Sequence, residues 1–170
     1  MLIAHVTAPG HGETNRLLAA IAEQLQQRGY RVCGTVQTDT ETSRSHLCDM
    51  DVTVLPDGPV LRISQNLGPD AKGCRLNPDA LETSVGLTLQ NIRLGADLVI
   101  INKFGKQEAD GRGFRDAIAE AIGSDIPVIV GVNATNLPAL NAFCDGAAQA
   151  LDPTVDAAVD WAVAAIGRQD

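Results

Sequence analysis

The chain lacks any apolar run long enough to cross a bilayer. No secretory leader is visible either: Met1 leads straight into a strand-like run interrupted by His5, and a cytoplasmic location is the expectation. Basic residues are too few for a general nucleic-acid binder or an acidic-membrane binder. Thirteen Lys and Arg stand against 21 Asp and Glu, for a net charge of −8 and a pI near 4.7. Any phosphate site must therefore be local, built from backbone N–H groups and a few cations. The four cysteines, Cys33, Cys48, Cys74 and Cys144, form no C-x-x-C pair and no compact disulfide spacing. Reduced thiols are expected of them. Internal repeats, low-complexity segments and linkers are lacking too, and 45% hydrophobic residues over 170 positions argue against disorder. One domain spanning residues 1–170 is the simplest division.

What the chain does have is most concentrated between Asp97 and Arg115. Leu98 to Ile101 is a continuous apolar run, as in a strand buried on both faces of a parallel sheet. It turns polar at Asn102-Lys103. Three glycines (Gly105, Gly111, Gly113) then alternate with Lys103, Lys106, Arg112 and Arg115. Phe114, Ile118 and Ile122 fall at helical spacing. The pattern is strand, polar loop, helix, with functional groups at the carboxyl end of a strand, where open α/β sheets bind ligands.

The opening of the chain repeats that pattern. Leu2 to Val6 reads as a strand, Thr7 to Asn15 as a glycine-containing turn, and Leu17, Leu18, Ile21 and Leu25 as a helix face stopped by Gly29. This is the context of a phosphate-binding loop. The G-x-x-x-x-G-K-[ST] fingerprint is not met, however, because Gly12-Glu13-Thr14 puts a carboxylate where a lysine neutralises phosphates. An ordinary β-α turn, with Glu13 and Thr14 in a plain first helical turn, explains these residues equally well.

Further strands are expected at Arg31–Gln37, Leu47–Leu55, Val60–Ile63 and Ile126–Val132, with Pro56-Asp57-Gly58 as a turn. Thr38–Ser45 and Ser64–Asn77 read as loops, the second close to the site. Asn77-Pro78 opens a helix whose face is Leu81, Val85, Leu89 and Ile92. Asn133–Asn136 makes another polar strand end, Leu137–Phe143 a short helix, and Val155, Val159, Val163 and Ile166 the face of a last helix, with Trp161 on another side. The alternation predicts a three-layer α/β/α sandwich with a mainly parallel sheet.

Two stretches, Pro9-Gly10-His11-Gly12-Glu13-Thr14 and Asn102-Lys103-Phe104-Gly105-Lys106-Gln107-Glu108, resemble the small P-loop nucleoside-triphosphatases first described from thermophiles. The run from Asn102 to Gly113, with Gly73-Cys74-Arg75-Leu76, is more similar still to a bacterial domain family often associated with molybdate-transport genes. The resemblance implies a P-loop-like fold and a ligand site made of Gly10, His11, Gly12, Glu13, Thr14, Asn102, Lys103, Gly105, Lys106, Arg112 and Arg115. It implies Mg2+ with a nucleotide as cofactor, and a nucleotide or small oxyanion as ligand.

The departures weaken catalysis. Glu13 replaces the phosphate-loop lysine and Asn102-Lys103 replaces the acidic pair, in a mechanism that depends on electrostatic stabilisation. A regulatory or accessory binder is thus the first expectation. The second is a rearranged nucleoside-triphosphate hydrolase or phosphotransferase using Lys103 and Glu108, with Thr14 at the metal. A third is a metal or oxyanion carrier using His46, Cys48 and Cys74. His11 taken alone reads as a surface residue at a helix start. A homodimer through the last helix, or a partner protein, is compatible with the sequence but not required by it.

Overall fold

The computed structural model describes residues 1–41, 48–65 and 76–168. Ile3–Val6 (β1) leads through a turn to Glu13–Gln27 (α1), then Val32–Glu41 (β2), Cys48–Leu55 (β3) and Val60–Arg62 (β4). Pro78–Arg93 (α2), Leu98–Phe104 (β5), the single turn Lys106–Ala109 (α3) and Arg115–Gly123 (α4) follow. Val128–Val132 (β6), Leu137–Phe143 (α5), Gln149–Ala150 (β7) and Val155–Ile166 (α6) complete the order. All seven strands join one sheet in the order β4-β3-β2-β5-β6-β1-β7. β2, β5, β6, β1 and β7 pair in parallel, and β3 and β4 are antiparallel additions at one side.

The period-two alternation of strand side chains splits the core into two layers. Leu98 and Ile100 of β5 join Val6 and Ile129 beneath α1 and α6. Val99 and Ile101 join Val128 and Val130 beneath α2, α4 and α5. Both faces of β5 are therefore dry, which is why its sequence is continuously apolar. With helices on each side, the expected α/β/α sandwich is the observed fold. Fully burying each such Leu, Ile or Val contributes roughly 1.5–3 kcal/mol.

Local chemistry explains the helix boundaries. The Asn77 side chain accepts hydrogen bonds from the Asp79 and Ala80 N–H groups at 3.1 and 3.2 Å, with Pro78 in the first turn. Gly29 follows α1 at φ 91°, where an L side chain is disfavoured. On α6 the core face is centred on Ala158, Val159, Ala162 and Ala165, while Val155, Trp161, Val163 and Ile166 are only partly buried against it. Of the expected stripe, Val159 is at the centre of the contact, and Val155, Val163 and Ile166 flank it. Small side chains at its centre let α6 lie close on its neighbours.

Three other expectations change. Thr38–Glu41 is not loop: β2 continues through it, with Thr38 opposite Asp51 and Thr40 opposite Asp49. The run is polar, but its β-branched threonines suit one side of an antiparallel ladder. The short strand β7 and the single turn α3 also went unanticipated, both being too brief to show periodicity. Ser64 bridges Leu76, so the ends of the Ser64–Asn77 segment are paired; residues 66–75 lie outside the described ones. Cys33 and Cys144 are buried free thiols, and burial pushes Cys33 above its ordinary pKa.

Gly34 sits at φ 109° on β2 between two neighbouring strands, and a Cβ there would lie 1.9 Å from the Ile100 carbonyl oxygen. Backbone in a central strand cannot yield. Gly34→Ala is expected to destabilise the protein by more than about 4 kcal/mol, read as a lower urea midpoint; a loss under about 1 kcal/mol would contradict this packing.

Candidate functional site

The loops after β1, β5 and β6 meet at the carboxyl ends of the parallel strands. Gly131 of β6 lets them converge. A Cβ on it would meet Leu18 Cδ1 at 2.7 Å and Thr14 Cγ2 at 3.2 Å, with Asn102 Oδ1 at 3.8 Å. The turn into α1 and the end of β5 therefore approach each other across a strand that carries no side chain at this point. A glycine within the apolar run Val128–Val132 was the available signal for such an approach.

The β1–α1 turn spans residues 7–12, with Gly10 and Gly12 at φ 104° and 74°. It is tied internally. The Ala8 N–H donates to Thr14 Oγ1 at 2.9 Å, and Thr7 Oγ1 donates to the Val132 carbonyl. Glu13 folds back over Gly10, where a Cβ would lie 3.0 Å from its Cγ, and its carboxylate pairs with Arg16. Both partners of that pair are substantially exposed, so it contributes little stability.

At the end of β5 the register slips: Asn102 faces Gly131 and Phe104 faces Val132, with the exposed Lys103 left between them. Such irregularities re-aim side chains at sheet ends. The next segment is organised by Glu108, which is only 3% exposed. Its Oε2 accepts from the Gly105 N–H at 2.8 Å, and its Oε1 accepts from the Phe114 N–H at 3.0 Å. Gly113, at φ 62°, has to be glycine, because a Cβ would fall 2.1 Å from Glu108 Oε1. The carboxylate of Glu108, a catalytic candidate from the sequence, is thus engaged by the loop's own backbone.

Seven of the sequence-predicted ligand-site residues line one of two hollows, and Gly10, Glu13, Thr14 and Arg115 line neither. The larger, about 430 Å³, is lined by Asn102, Lys103, Gly105, Lys106 and Arg112, with Asn133 and Asn136 from the end of β6. Arg112 also lies 3.8 Å from Asp110. The smaller, about 230 Å³, is lined by His11 and Gly12 of the turn, Asn15 and Arg16 of α1, and Asp39 of β2. Gln37 lines both. Arg115 is placed differently from expectation: its guanidinium lies 4.6 Å above the Phe143 ring and donates to the Glu108 carbonyl at 3.3 Å. That cation–π contact and hydrogen bond give it a structural partner on each side.

Sequence reading missed the link between α1 and β2. Asp39 accepts from Asn15 Nδ2 at 2.9 Å and from Gln37 Nε2 at 2.7 Å. The segment had been taken for loop from Thr38 onward, which hid the alternation that turns Gln37 and Asp39 toward the site.

Among the described residues the donor set does not by itself make a resident magnesium site. Mg2+ takes oxygen ligands, commonly one or two carboxylates together with substrate phosphates. The Thr14 hydroxyl is held by Ala8, and the β5 end offers a neutral Asn102. The Glu13, Asp39 and Glu108 carboxylates are each engaged elsewhere. Among the described residues no group of three or more His, Cys, Asp or Glu is placed to hold a metal. His46 and Cys74 lie outside the described residues. So does the side chain of Cys48 at the start of β3.

A mainly parallel sheet between helical layers, with a glycine turn from the first strand into the first helix, defines a fold of the P-loop nucleoside-triphosphatase type. The solution structure of a human cancer-related nucleoside triphosphatase has the same fold, with a TM-score of 0.62 at 19% identity over 100% of this chain and 98% of that one. The chain itself belongs to the family described as a protein of unknown function, DUF2478, which residues 3–161 match. It is 29% identical over 130 residues to the nucleoside-triphosphatase THEP1 of Methanosarcina acetivorans, covering 75% of this chain and 73% of that protein. It is 37% identical over 120 residues to the molybdenum import ATP-binding protein ModC 2 of Bradyrhizobium diazoefficiens. That match takes in 71% of this chain but spans only 13% of the length of ModC 2. Among the described residues no helix is long and apolar enough to cross a membrane.

Replacing Glu108 by Gln would turn one acceptor oxygen into a donor facing a backbone N–H. A loss of about 1–3 kcal/mol is expected from the unpaired group, with faster hydrogen exchange at the Gly105 and Phe114 amides. Unchanged exchange at both would remove Glu108 from its organising role.

Proposed function

We propose that the chain is a nucleotide- or small-anion-binding protein with a degenerate phosphate loop, serving a regulatory or accessory role rather than efficient hydrolysis. One observation carries this reading: Lys103, Lys106 and Arg112 line a single cleft at the carboxyl ends of the strands and outnumber the Glu108 and Asp110 carboxylates there, in a protein whose net charge is −8. Local positive charge against a negative background attracts an anion to that spot. The relation to THEP1 supports a nucleotide as the anion. Glu13 and Asn102 stand where phosphate-loop lysine and acidic residue are expected of a hydrolase, and Glu108 is engaged by backbone. These features support binding without rapid turnover. Likeness to a molybdenum import protein makes molybdate the natural competing ligand.

Isothermal calorimetry and thermal shift with ATP and GTP, each with and without Mg2+, alongside phosphate, molybdate and tungstate, test this directly. Ligand at a hundredfold excess over its Kd should stabilise the fold by about 2.7 kcal/mol. Lys106→Ala and Arg112→Ala should each weaken binding by about tenfold or more, as expected for a charge-assisted hydrogen bond. Phosphate release should stay at background. Turnover that disappears in Lys103→Ala would establish the hydrolase instead, and a response confined to molybdate and tungstate would establish an oxyanion carrier. Indifference to every ligand would end the anion-site reading.

A further inference from the structure

The larger cleft has more in it than an anion needs. Besides its cations and the Glu108 and Asp110 carboxylates, it is lined by aliphatic side chains from three segments: Met50 of β3, Ile63 after β4, and Leu76 and Leu81 before and within α2. Asn102 also lines the cleft; it is 3% exposed, and neither its Nδ2 nor its Oδ1 has a hydrogen-bond partner within the protein. A buried amide left unpaired costs about 1–3 kcal/mol, a penalty an apolar residue of similar shape would avoid.

These three elements constrain the ligand together. A bare tetrahedral oxyanion uses the cations and leaves the aliphatic wall and the carboxamide idle. A hydrocarbon uses the wall and strands the charges. A flat nitrogen heterocycle carrying a phosphate answers all three. Its faces lie against aliphatic carbon, its phosphate reaches Lys106 and Arg112, and adjacent donor and acceptor atoms on one ring edge match the paired donor and acceptor of a carboxamide. A volume of about 430 Å³ falls among small-molecule sites.

We infer that this cleft binds a nucleoside monophosphate or similar heterocyclic phosphate, with the ring directed inward to Asn102 and the phosphate outward to the cations. The inference rests on the anion-site reading above and names the ligand class for it.

The test is calorimetry on the full chain with adenosine, guanosine, cytidine and uridine monophosphates, ribose 5-phosphate and inorganic phosphate. At least one nucleoside monophosphate should bind about tenfold or more tighter than ribose 5-phosphate, the margin expected of a paired base edge. Asn102→Leu should erase that margin while the melting temperature without ligand holds or rises. Met50→Glu, at a half-buried strand position, should erase it from the aliphatic wall and serves if Asn102→Leu fails to fold. Lys106→Ala should weaken the nucleoside monophosphate and ribose 5-phosphate alike. Ribose 5-phosphate binding as tightly as all four nucleotides would overturn the inference and leave the anion site standing, as would a margin that survives both Asn102→Leu and Met50→Glu. Absence of binding by every probe would overturn the inference, and the titrations with ATP, GTP, molybdate and tungstate then decide the anion site separately.

Discussion

The Glu108 carboxylate holds the mouth of the molecule in place. A buried charge is tolerated only when its acceptor sites are filled, and here the two oxygens take the Gly105 and Phe114 N–H groups from either end of one loop. The path between those residues is thereby fixed, and with it the positions at which Lys106 and Arg112 leave the backbone. Gly113 is the counterpart of that arrangement, since any side chain would occupy the space of the carboxylate. Phe114 then enters the core at 1% exposure and starts α4 on its hydrophobic face. A single carboxylate thus joins the end of the central strand to the next helix and holds the loop that carries two of the cleft's cations.

Legibility from sequence followed the range of the interaction. Strands buried on both faces, such as Leu98–Ile101, announced themselves because solvent exclusion acts on every residue in the run. The Asn77-Pro78 cap and the Gly29 stop were readable because each depends on atoms within a few positions. The anchoring bonds of Glu108 were not legible because its partners are backbone groups, which have no sequence signature, and a carboxylate among cations reads equally well as chemistry. Arg115 was misplaced for a related reason: Phe143, which it covers, lies 28 positions away and on another element. Asp39 was lost because the polar extension of a strand reads as loop from Thr38 onward, since propensity alone does not separate exposed ladder from coil.

The β1–α1 turn is held by its own glycines and side chains. Gly10 and Gly12 take left-handed conformations, and Thr14 reaches back to the Ala8 backbone. Glu13 turns over the loop to Arg16. Lys103, Lys106 and Arg112 stand at and after the end of β5. The absence of a side chain on Gly131 lets the turn into α1 and the end of β5 approach each other.

Gln37 stands in the wall of both hollows and gives its amide to Asp39, which is also gripped by Asn15 of the first helix. Any molecule in the larger hollow that draws that amide to itself removes one of the two donors holding Asp39 and loosens the flank of the smaller one. The two cavities therefore share one side chain, and the hydrogen bonds that Gln37 and Asn15 give to Asp39 tie their common wall to the first helix.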